Sequence, residues 1–556
     1  MCGYREAMHS IKALADEFHA FHIRSDQMEA LWKGSIDDLE MWENFTPEAV
    51  DHRRAELRRF VAQAEELSAS AGPHPTLDLI SFAAGSTDEQ LEWYHDLLQF
   101  NSNMGFHPML LTFGPRFPLV TAEHGERYLT RMANLPATLR DFAARISSAV
   151  DRGRVANQAV VGQTLSGLDR HLGASPDPLL AQEPPAESEG VESDRWRARL
   201  ETILSDEVRP ALVELRSVVA DRVVPAARSD EQPGLMYLDG GAESYERLVW
   251  ANVSRSVPSR RVHEIGLEQV RRLETEYLEV AGPVLGTNDL SEIYDRLRTD
   301  PDLHYSDADT LVGDATAALA KAAAAMGDWF GVLPQSPCIA TSIEQGPLAF
   351  YSQPAMDGSK PGTFFFNTSD PAMWGTFQLE ATTYHEGIPG HHLQVALTLE
   401  NEDLHPIHRE PLVTAYLEGW ALYSERVADE MGLYSSELDR VGMLAADSMR
   451  ACRLVVDTGI HALGWSRDRA IDYMVDHSPM TRPQVIGEID RYTGVPGQAL
   501  GYMMGRLEIE KLRADAESRL ADRFDIKAFH DVVLGHGDLP LATLERRVND
   551  WVEHSN

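Results

Sequence analysis

The sequence predicts a mainly α-helical fold, and three observations support this prediction. Apolar residues recur at helical spacing, with abundant Ala, Leu, Glu and Arg, over residues 55–71, 123–152, 196–224 and 267–281. A single region, residues 348–367, has the aromatic runs typical of strands. The chain has 556 residues, of which 43% are hydrophobic, so it can bury a large core and exceeds the usual size of one domain. We therefore expect two closely packed regions.

These regions are residues 1–335, one or more helical lobes, and residues 336–556, which contain every candidate site residue. Within the first region, residues 173–194 are rich in Pro and Glu. Such a composition disfavours packing, so it predicts a mobile acidic loop between helices. Within the second region, the aromatic runs at 348–352 and 362–367 flank a turn containing Pro, Gly and Asp, which predicts a β-hairpin.

Charge and composition exclude several classes of function. The formal net charge is −37, from 87 acidic and 50 basic residues, which argues against non-specific binding to nucleic acid or to anionic membranes. Three cysteines are too few and too scattered for a disulfide framework or a thiolate zinc site. The first residues lack the apolar core of a signal peptide, and no stretch is long and apolar enough to span a membrane. We therefore expect a cytoplasmic protein.

The most informative motif begins at His385-Glu386 and resembles the HExxH signature of zinc hydrolases. In that signature two histidines at i and i+4 share one face of a helix and bind one Zn²⁺, while the Glu acts on the metal-bound water. Here Pro389 occupies i+4, and the next histidines are His391 and His392. In a regular helix neither would share a metal with His385, because one points elsewhere and the other lies about 10 Å further along.

Pro389 and Gly390 are residues that interrupt helices, so the turn can return a histidine to the site. We interpret the motif as a stretched HExxH with His391 as the second ligand. Glu418, 27 residues later, is the predicted third ligand, carried on a return helix after a loop. Glu425 is seven residues further along the same helical face and is predicted to orient a ligand histidine.

Four segments also resemble a known family: YHEGIPGHHLQ, LEGWALYSE, RLVVDTGIHALGW and RYTGVPGQALGYMMG. They resemble the diagnostic segments of domain-of-unknown-function family 885, bacterial proteins regarded as zinc-peptidase-like, and the likeness spans much of residues 340–515. It implies a mainly α fold akin to thimet oligopeptidase, the Taq-type carboxypeptidases and angiotensin-converting enzyme, with two lobes, a deep cleft and a small β-hairpin or sheet beside the active site. It favours His391 over His392, although His392 stays open as the alternative ligand.

The resemblance also implies roles for residues that bind substrate. Asn367 matches a family segment, and the neighbouring strand edge is expected to bind an extended peptide by strand addition. Tyr502 would bind the oxyanion that develops during hydrolysis. Where the family usually has a Lys, this chain has Met503. We therefore expect Arg506, one turn later, to take over any contact with a substrate carboxylate.

Arg453, Asp457 and His461 recur at i, i+4 and i+8 in an otherwise apolar helix, so they share one face. One interpretation is an internal stripe of ion pairs that ties helices together, because buried charges need partners. The other is a wall of the cleft. In that case His461 donates to the oxyanion and Asp457 holds its tautomer.

These residues together predict a zinc-dependent hydrolase of peptide bonds, acting on short peptides or small amides. His385, His391 and Glu418 would hold Zn²⁺, and Glu386 would take the proton of the attacking water. Three alternatives remain: a zinc hydrolase of a nonpeptide amide or ester, a metal-free peptide-binding protein, and a di-iron bundle. The last is disfavoured because paired Glu-x-x-His repeats are not evident. The sequence leaves endo or exo cleavage and the oligomeric state open.

Overall fold

Helices dominate the computed structural model, which describes residues 2–33, 35–36, 39–93, 96–97, 100–101, 105–356 and 358–555. The helices before the sheet are α1 (Cys2–Ser25), α2 (Gln27–Lys33), α3 (Pro47–Ala71), α4 (Pro75–Trp93), α5 (Phe106–Phe113), α6 (Ala122–Asp151), α7 (Gln158–Gly173), α8 (Val191–Ile203), α9 (Arg209–Val218), α10 (Val224–Ala226), α11 (Gly241–Val253), α12 (Ser259–Leu285), α13 (Leu290–Thr299) and α14 (Ala308–Ala325). The helical prediction is confirmed in α3, α6, α8 to α10 and α12.

The helices after the sheet contain the candidate site residues. They are α15 (Leu379–Glu386), α16 (His391–Glu400), α17 (Thr414–Glu430), α18 (Glu437–Ala462), α19 (Arg467–Asp476), α20 (Arg482–Gly494), α21 (Gly501–Leu520), α22 (Ile526–Leu534) and α23 (Leu541–His554). The predicted loop and return helix after the histidine motif are confirmed, since α16 ends at Glu400 and α17 begins at Thr414.

Local sequence explains where many of these helices start. The hydroxyl of Thr46 accepts a hydrogen bond from the backbone N–H of Ala49, and Pro47 occupies the first turn of α3, where a missing N–H costs nothing. Ser436 caps α18 in the same way, by accepting from the N–H of Asp439. These caps satisfy backbone donors that a helix start leaves without internal partners.

The described residues form one small sheet of three strands, β1 (Cys338–Ile343), β2 (Ala349–Ser352) and β3 (Gly362–Asn367), in the order β1-β3-β2. Strands β2 and β3 are antiparallel, which confirms the predicted hairpin. Strand β1 pairs in parallel with β3 and was not predicted. Its sequence, CIATSI, lacks the aromatic run that marks the other strands, and its pairing partner lies more than 20 residues away. Strand β3 is therefore central, and β2 is an edge strand.

The hydrophobic core consists of two large clusters of buried side chains and one small cluster, among the described residues. Each large cluster contains residues from both sides of residue 335, so neither corresponds to one of the two predicted regions. The small cluster joins β3, through Phe364 and Phe366, to Trp374 and to Leu379 at the start of α15. The sheet is therefore packed directly beside the helix that carries His385.

The segment 173–194 packs against the protein, so the expectation that its composition prevents packing is wrong. It contains a 3₁₀ turn at Pro178–Ala181, in which Leu179 is fully buried. The side-chain amide of Gln182 is also buried and bonds to both the N–H and the C=O of Phe117. A few well-placed contacts thus anchor an acidic segment, which composition alone does not reveal.

Among the described residues, no helix is both long enough and apolar enough to cross a membrane.

Candidate metal centre

The histidine motif is divided between two helices. Helix α15 ends at Glu386 and α16 begins at His391, so the interruption predicted at Pro389 and Gly390 is a complete break in the helix. Two glycines permit the tight connection. A Cβ atom at Gly390 would lie 2.0 Å from the carbonyl oxygen of His385, and one at Gly387 would lie 2.5 Å from the side chain of Leu319. The four-residue connection therefore turns the chain back sharply and brings His391 beside His385.

His385, His391 and Glu418 converge, and one ligand atom from each lies within 4.8 Å of the others. The Nε2 atoms of His385 and His391 lie 3.7 Å and 3.4 Å from the same oxygen, Oε2 of Glu418. Tetrahedral zinc with bonds of about 2.0–2.1 Å holds its ligand atoms about 3.3 Å apart. This set of two histidines and one carboxylate therefore fits a zinc ion with little rearrangement.

Glu425 orients the first of these histidines. Its Oε1 lies 2.8 Å from Nδ1 of His385, and both side chains are buried. The contact holds a proton on Nδ1 and directs Nε2 toward Glu418, where a metal would lie. Burial alone would lower the pKa of His385, but the nearby carboxylates of Glu418 and Glu425 raise it to about 9. Likewise, both histidines hold the pKa of Glu418 well below its usual range, although burial opposes this.

Glu386 stands outside the ligand set. It is the last residue of α15 and follows His385 directly, yet it is not part of the cluster that could hold a metal. Its side chain is half-buried and has no hydrogen-bond or ion-pair partner among the described residues. A carboxylate without a partner next to a metal cluster is available to accept a proton, which is what a general base requires.

His392 is occupied by other contacts. Its Nδ1 lies 3.0 Å from the hydroxyl of Tyr351, and its Nε2 lies 2.9 Å from the carbonyl oxygen of Ser336. Burial lowers its pKa, so the ring is neutral, donates to Ser336 and accepts from Tyr351. This geometry favours His391 as the ligand. His392 instead connects α16 to β2.

Tyr502 lies beside the cluster. Its ring is parallel to that of His385, with centroids 6.5 Å apart. Burial, and to a smaller extent Glu418, raises the pKa of Tyr502 to about 12, so the phenol is protonated at neutral pH. Two arginines of α18 approach its ring, with Cζ of Arg453 and of Arg450 at 4.5 Å and 5.8 Å from the centroid. Sequence reasoning missed Arg450, whose spacing of three residues from Arg453 was the available signal.

Comparison with known proteins agrees with the motif segments. The family model described as "Bacterial protein of unknown function (DUF885)" matches residues 28–548. The chain belongs to the DUF885 family. No curated protein matches it significantly.

Two solved structures share the fold of this DUF885 protein. One is the putative lipoprotein from Colwellia psychrerythraea, which is 26% identical, with a TM-score of 0.86 over 98% of this chain and 99% of that chain. The other is a putative lipoprotein of unknown function from Shewanella oneidensis, which is 18% identical, with a TM-score of 0.69 over 96% and 98% of the two chains. The second likeness concerns the fold alone.

The structure does not support a catalytic role for His461 in this DUF885 protein. Its Nδ1 accepts a hydrogen bond from the N–H of Leu235, so its Nε2 carries the proton and donates to the carbonyl oxygen of Tyr492. Burial lowers the pKa of His461 to about 3. With both ring nitrogens satisfied by the backbone, His461 has no donor left for an oxyanion. Instead it ties α18 to neighbouring segments.

Asp457 does not orient His461, contrary to expectation. Its carboxylate accepts hydrogen bonds from the hydroxyl of Tyr245, at 2.5 Å, and from the N–H of Gly497, at 3.1 Å. Burial raises the pKa of Asp457 to about 7. Asp457 therefore supports the turn that precedes α21, the helix of Tyr502. The stripe on α18 corresponds more closely to the structural interpretation than to a row of catalytic groups.

Arg506 does not face a substrate site, and that prediction is wrong. Its side chain is fully buried, and it forms an ion pair with Asp447, which also contacts Arg426. Met503 is likewise fully buried, within the larger hydrophobic cluster. Both side chains pack against the protein interior, whereas the ring of Tyr502, one turn before Arg506, lies beside that of His385. Spacing along the helix did not show which neighbour covers each face.

Asn367 ends β3 and stabilises the turn that follows. Its side-chain amide donates to the carbonyl oxygen of Gly346 at 3.1 Å and accepts from the N–H of Ser369 at 2.9 Å. These contacts satisfy both ends of the amide locally. The strand edge beside the metal cluster is that of β2, which packs near α15 and places the ring of Tyr351 6.5 Å from that of His391.

Proposed function

We propose that this protein is a zinc-dependent hydrolase of peptide bonds, with short peptides as substrates. The observation that carries the proposal is the convergence of His385, His391 and Glu418 beside a carboxylate, Glu386, that has no partner among the described residues. A structural ion-pair cluster has no need of a free Glu next to it, whereas hydrolysis requires both a ligand set with an open position and a general base.

Zinc bound by these three residues would polarise the scissile carbonyl and lower the pKa of a water molecule. Glu386 would accept the proton of that water and pass it to the leaving amine. The Tyr502 hydroxyl is protonated and has no hydrogen-bond partner among the described residues, so it is available to donate to the oxyanion. Glu425 would hold the ring of His385 in place throughout.

The edge of β2 supports peptides as the substrates. The N–H of Asn367 donates to the carbonyl oxygen of Leu348, so in this antiparallel register alternate residues of β2 bond to β3. The backbone groups of Ala349 and Tyr351 consequently point to the open edge. A peptide that adds a strand to this edge would pass close to His391, in the cleft between two lobes that we propose for this fold.

Metal content and turnover test the proposal directly. The purified protein should contain about one zinc per chain, His385→Ala should lose it, and a library of short peptides should be cleaved. Glu386→Gln should keep zinc but lose about 10²–10⁴-fold in kcat. Glu402→Gln, the same change at an exposed position, is the matched control and should behave as wild type. A metal-free wild type, or an active Glu386→Gln variant, would refute the proposal.

A further inference from the structure

Two arginines form an incompletely satisfied pair beside Tyr502. Arg450 and Arg453 lie three residues apart on α18, so their side chains project from one face of the helix. Both guanidinium groups approach the Tyr502 ring, with Cζ at 5.8 Å and 4.5 Å from its centroid. Two like charges held this close destabilise each other unless an anion lies between them or nearby.

The arginines have more donors than the protein satisfies. Arg453 donates from Nε to Tyr492 and from Nη2 to Glu488. Its side chain is only 6% exposed, and its Nη1 is buried without a partner in the part of the chain that the structure describes. Among the described residues, Arg450 donates only to the carbonyl oxygen of Ala446, at 3.3 Å, and its Nε is also buried without a partner. A guanidinium carries five N–H donors, so most of those on Arg450 remain available.

The neighbouring carboxylates do not satisfy all the hydrogen-bond donors of Arg450 and Arg453. Nη2 of Arg450 lies 4.0 Å from Oε1 of Glu425, beyond hydrogen-bond distance, and that oxygen already accepts from His385. Glu488 contacts both Arg453 and Arg491. These carboxylates therefore leave Nε of Arg450 and Nη1 of Arg453 without hydrogen-bond partners among the described residues.

The distance between the two arginines and the metal cluster indicates that an anion bound by the arginines would be part of the substrate. The Tyr502 ring is 6.5 Å from the ring of His385 and 5.8 Å from Arg450. One residue of an extended peptide spans about 3.3–3.6 Å. An anion bound by the arginines would thus lie within one to three residues of a carbonyl at the metal cluster.

We propose that Arg450 and Arg453 form an anion subsite that binds a carboxylate of the substrate, with Arg450 making the contact and Arg453 positioning Tyr502 beneath it. The inference rests on the proposed function and narrows its substrate class to short peptides with a free carboxylate near the scissile bond. Guanidinium and carboxylate match in geometry and charge, which makes such contacts strong and selective.

Calorimetric binding of a matched pair of peptides, benzoyl-Gly-Gly and its C-terminal amide, tests the subsite. The protein is the full chain carrying Glu386→Gln, so that neither peptide is consumed, measured with zinc and after chelation. In this background the free acid should bind about 10- to 100-fold more tightly than the amide, the value of one or two charged hydrogen bonds. Arg450→Gln should reduce the ratio to below about threefold, and Arg450→Lys should restore part of it. Arg469→Gln, at an exposed arginine of α19 that stacks on Trp465, is the matched control and should leave the ratio unchanged.

Three results would overturn the subsite: equal affinities in the parent protein, a preference that survives Arg450→Gln, or no binding of either peptide at millimolar concentration. Inorganic phosphate that binds as tightly as the acid and is lost in Arg450→Gln would indicate a site for free anions rather than for substrate. The arms with and without zinc separate the two proposals. A preference for the acid in a protein that never takes up zinc would support the subsite and refute the hydrolase. Zinc uptake by a protein that binds the acid and the amide equally well would support the hydrolase and refute the subsite.

Discussion

Gly390→Ala should abolish the metal centre without removing any ligand. A Cβ atom at position 390 would lie 2.0 Å from the carbonyl oxygen of His385 and 2.3 Å from that of Tyr384. Both contacts are with backbone, which cannot rotate away as a side chain can. Ordinary carbon contacts lie at about 3.5–4.0 Å, so the connection must open by roughly 1 Å or more.

An opening of that size is large compared with what a metal site tolerates. His391 follows Gly390 directly, so its ring moves with the connection. Ligand distances outside about ±0.2 Å of their ideal values no longer describe a good zinc site. We therefore expect zinc affinity to fall at least about 100-fold, or about 2.7 kcal/mol. Overpacking should also lower the free energy of unfolding by about 1–3 kcal/mol.

The assay is competitive zinc titration with a chromophoric chelator, together with circular dichroism to verify folding. Gly313→Ala is the matched control, because a Cβ atom there meets nothing within 4 Å and the residue lies within α14. That variant should bind zinc as wild type does and gain about 0.5–1 kcal/mol of stability. A folded Gly390→Ala protein with wild-type zinc affinity would show that the close approach does not position His391.

Three further substitutions test other assignments. His391→Ala should lose zinc and His392→Ala should keep it, because both ring nitrogens of His392 bond elsewhere; metal analysis giving the opposite pattern would make His392 the ligand. Arg506→Ala removes one of two arginines that contact buried Asp447, so the free energy of unfolding measured in urea should fall by about 2–4 kcal/mol. A fall below about 0.5 kcal/mol would contradict a structural role for Arg506. The pKa of His461 is about 3 in the folded protein, below its ordinary 6.5. Between pH 6 and 4 the unfolded chain therefore binds a proton at His461 that the folded protein does not. Its contribution lowers the free energy of unfolding by about 1.4 kcal/mol for each unit by which the pH falls. His461→Gln should reduce that slope by this amount in unfolding measured across the range, and identical slopes would mean that His461 titrates normally.

The sequence by itself determined the helical class of this protein and the composition of its candidate metal centre. Helical periodicity is local, so residues 55–71 and 123–152 predicted helices that form as expected. The placement of Glu418 and Glu425 on one face of α17 also followed from their spacing, because a step of seven residues along a helix returns to the same face. Likewise, Pro389 and Gly390 signalled an interruption, since neither continues a regular helix.

Only the tertiary structure decided which of these residues meet. A helical face is defined by sequence, but the element that covers it comes from elsewhere in the chain. For this reason Arg506 was expected at a substrate site yet contacts Asp447, and Arg450 was overlooked yet lies beside Tyr502. The ring nitrogens of His461 bond to the backbone of Tyr492, more than 30 residues later in the chain, and of Leu235, more than 200 residues earlier. Such partners depend on how elements distant in sequence pack together, so they cannot be predicted from the periodicity within one helix.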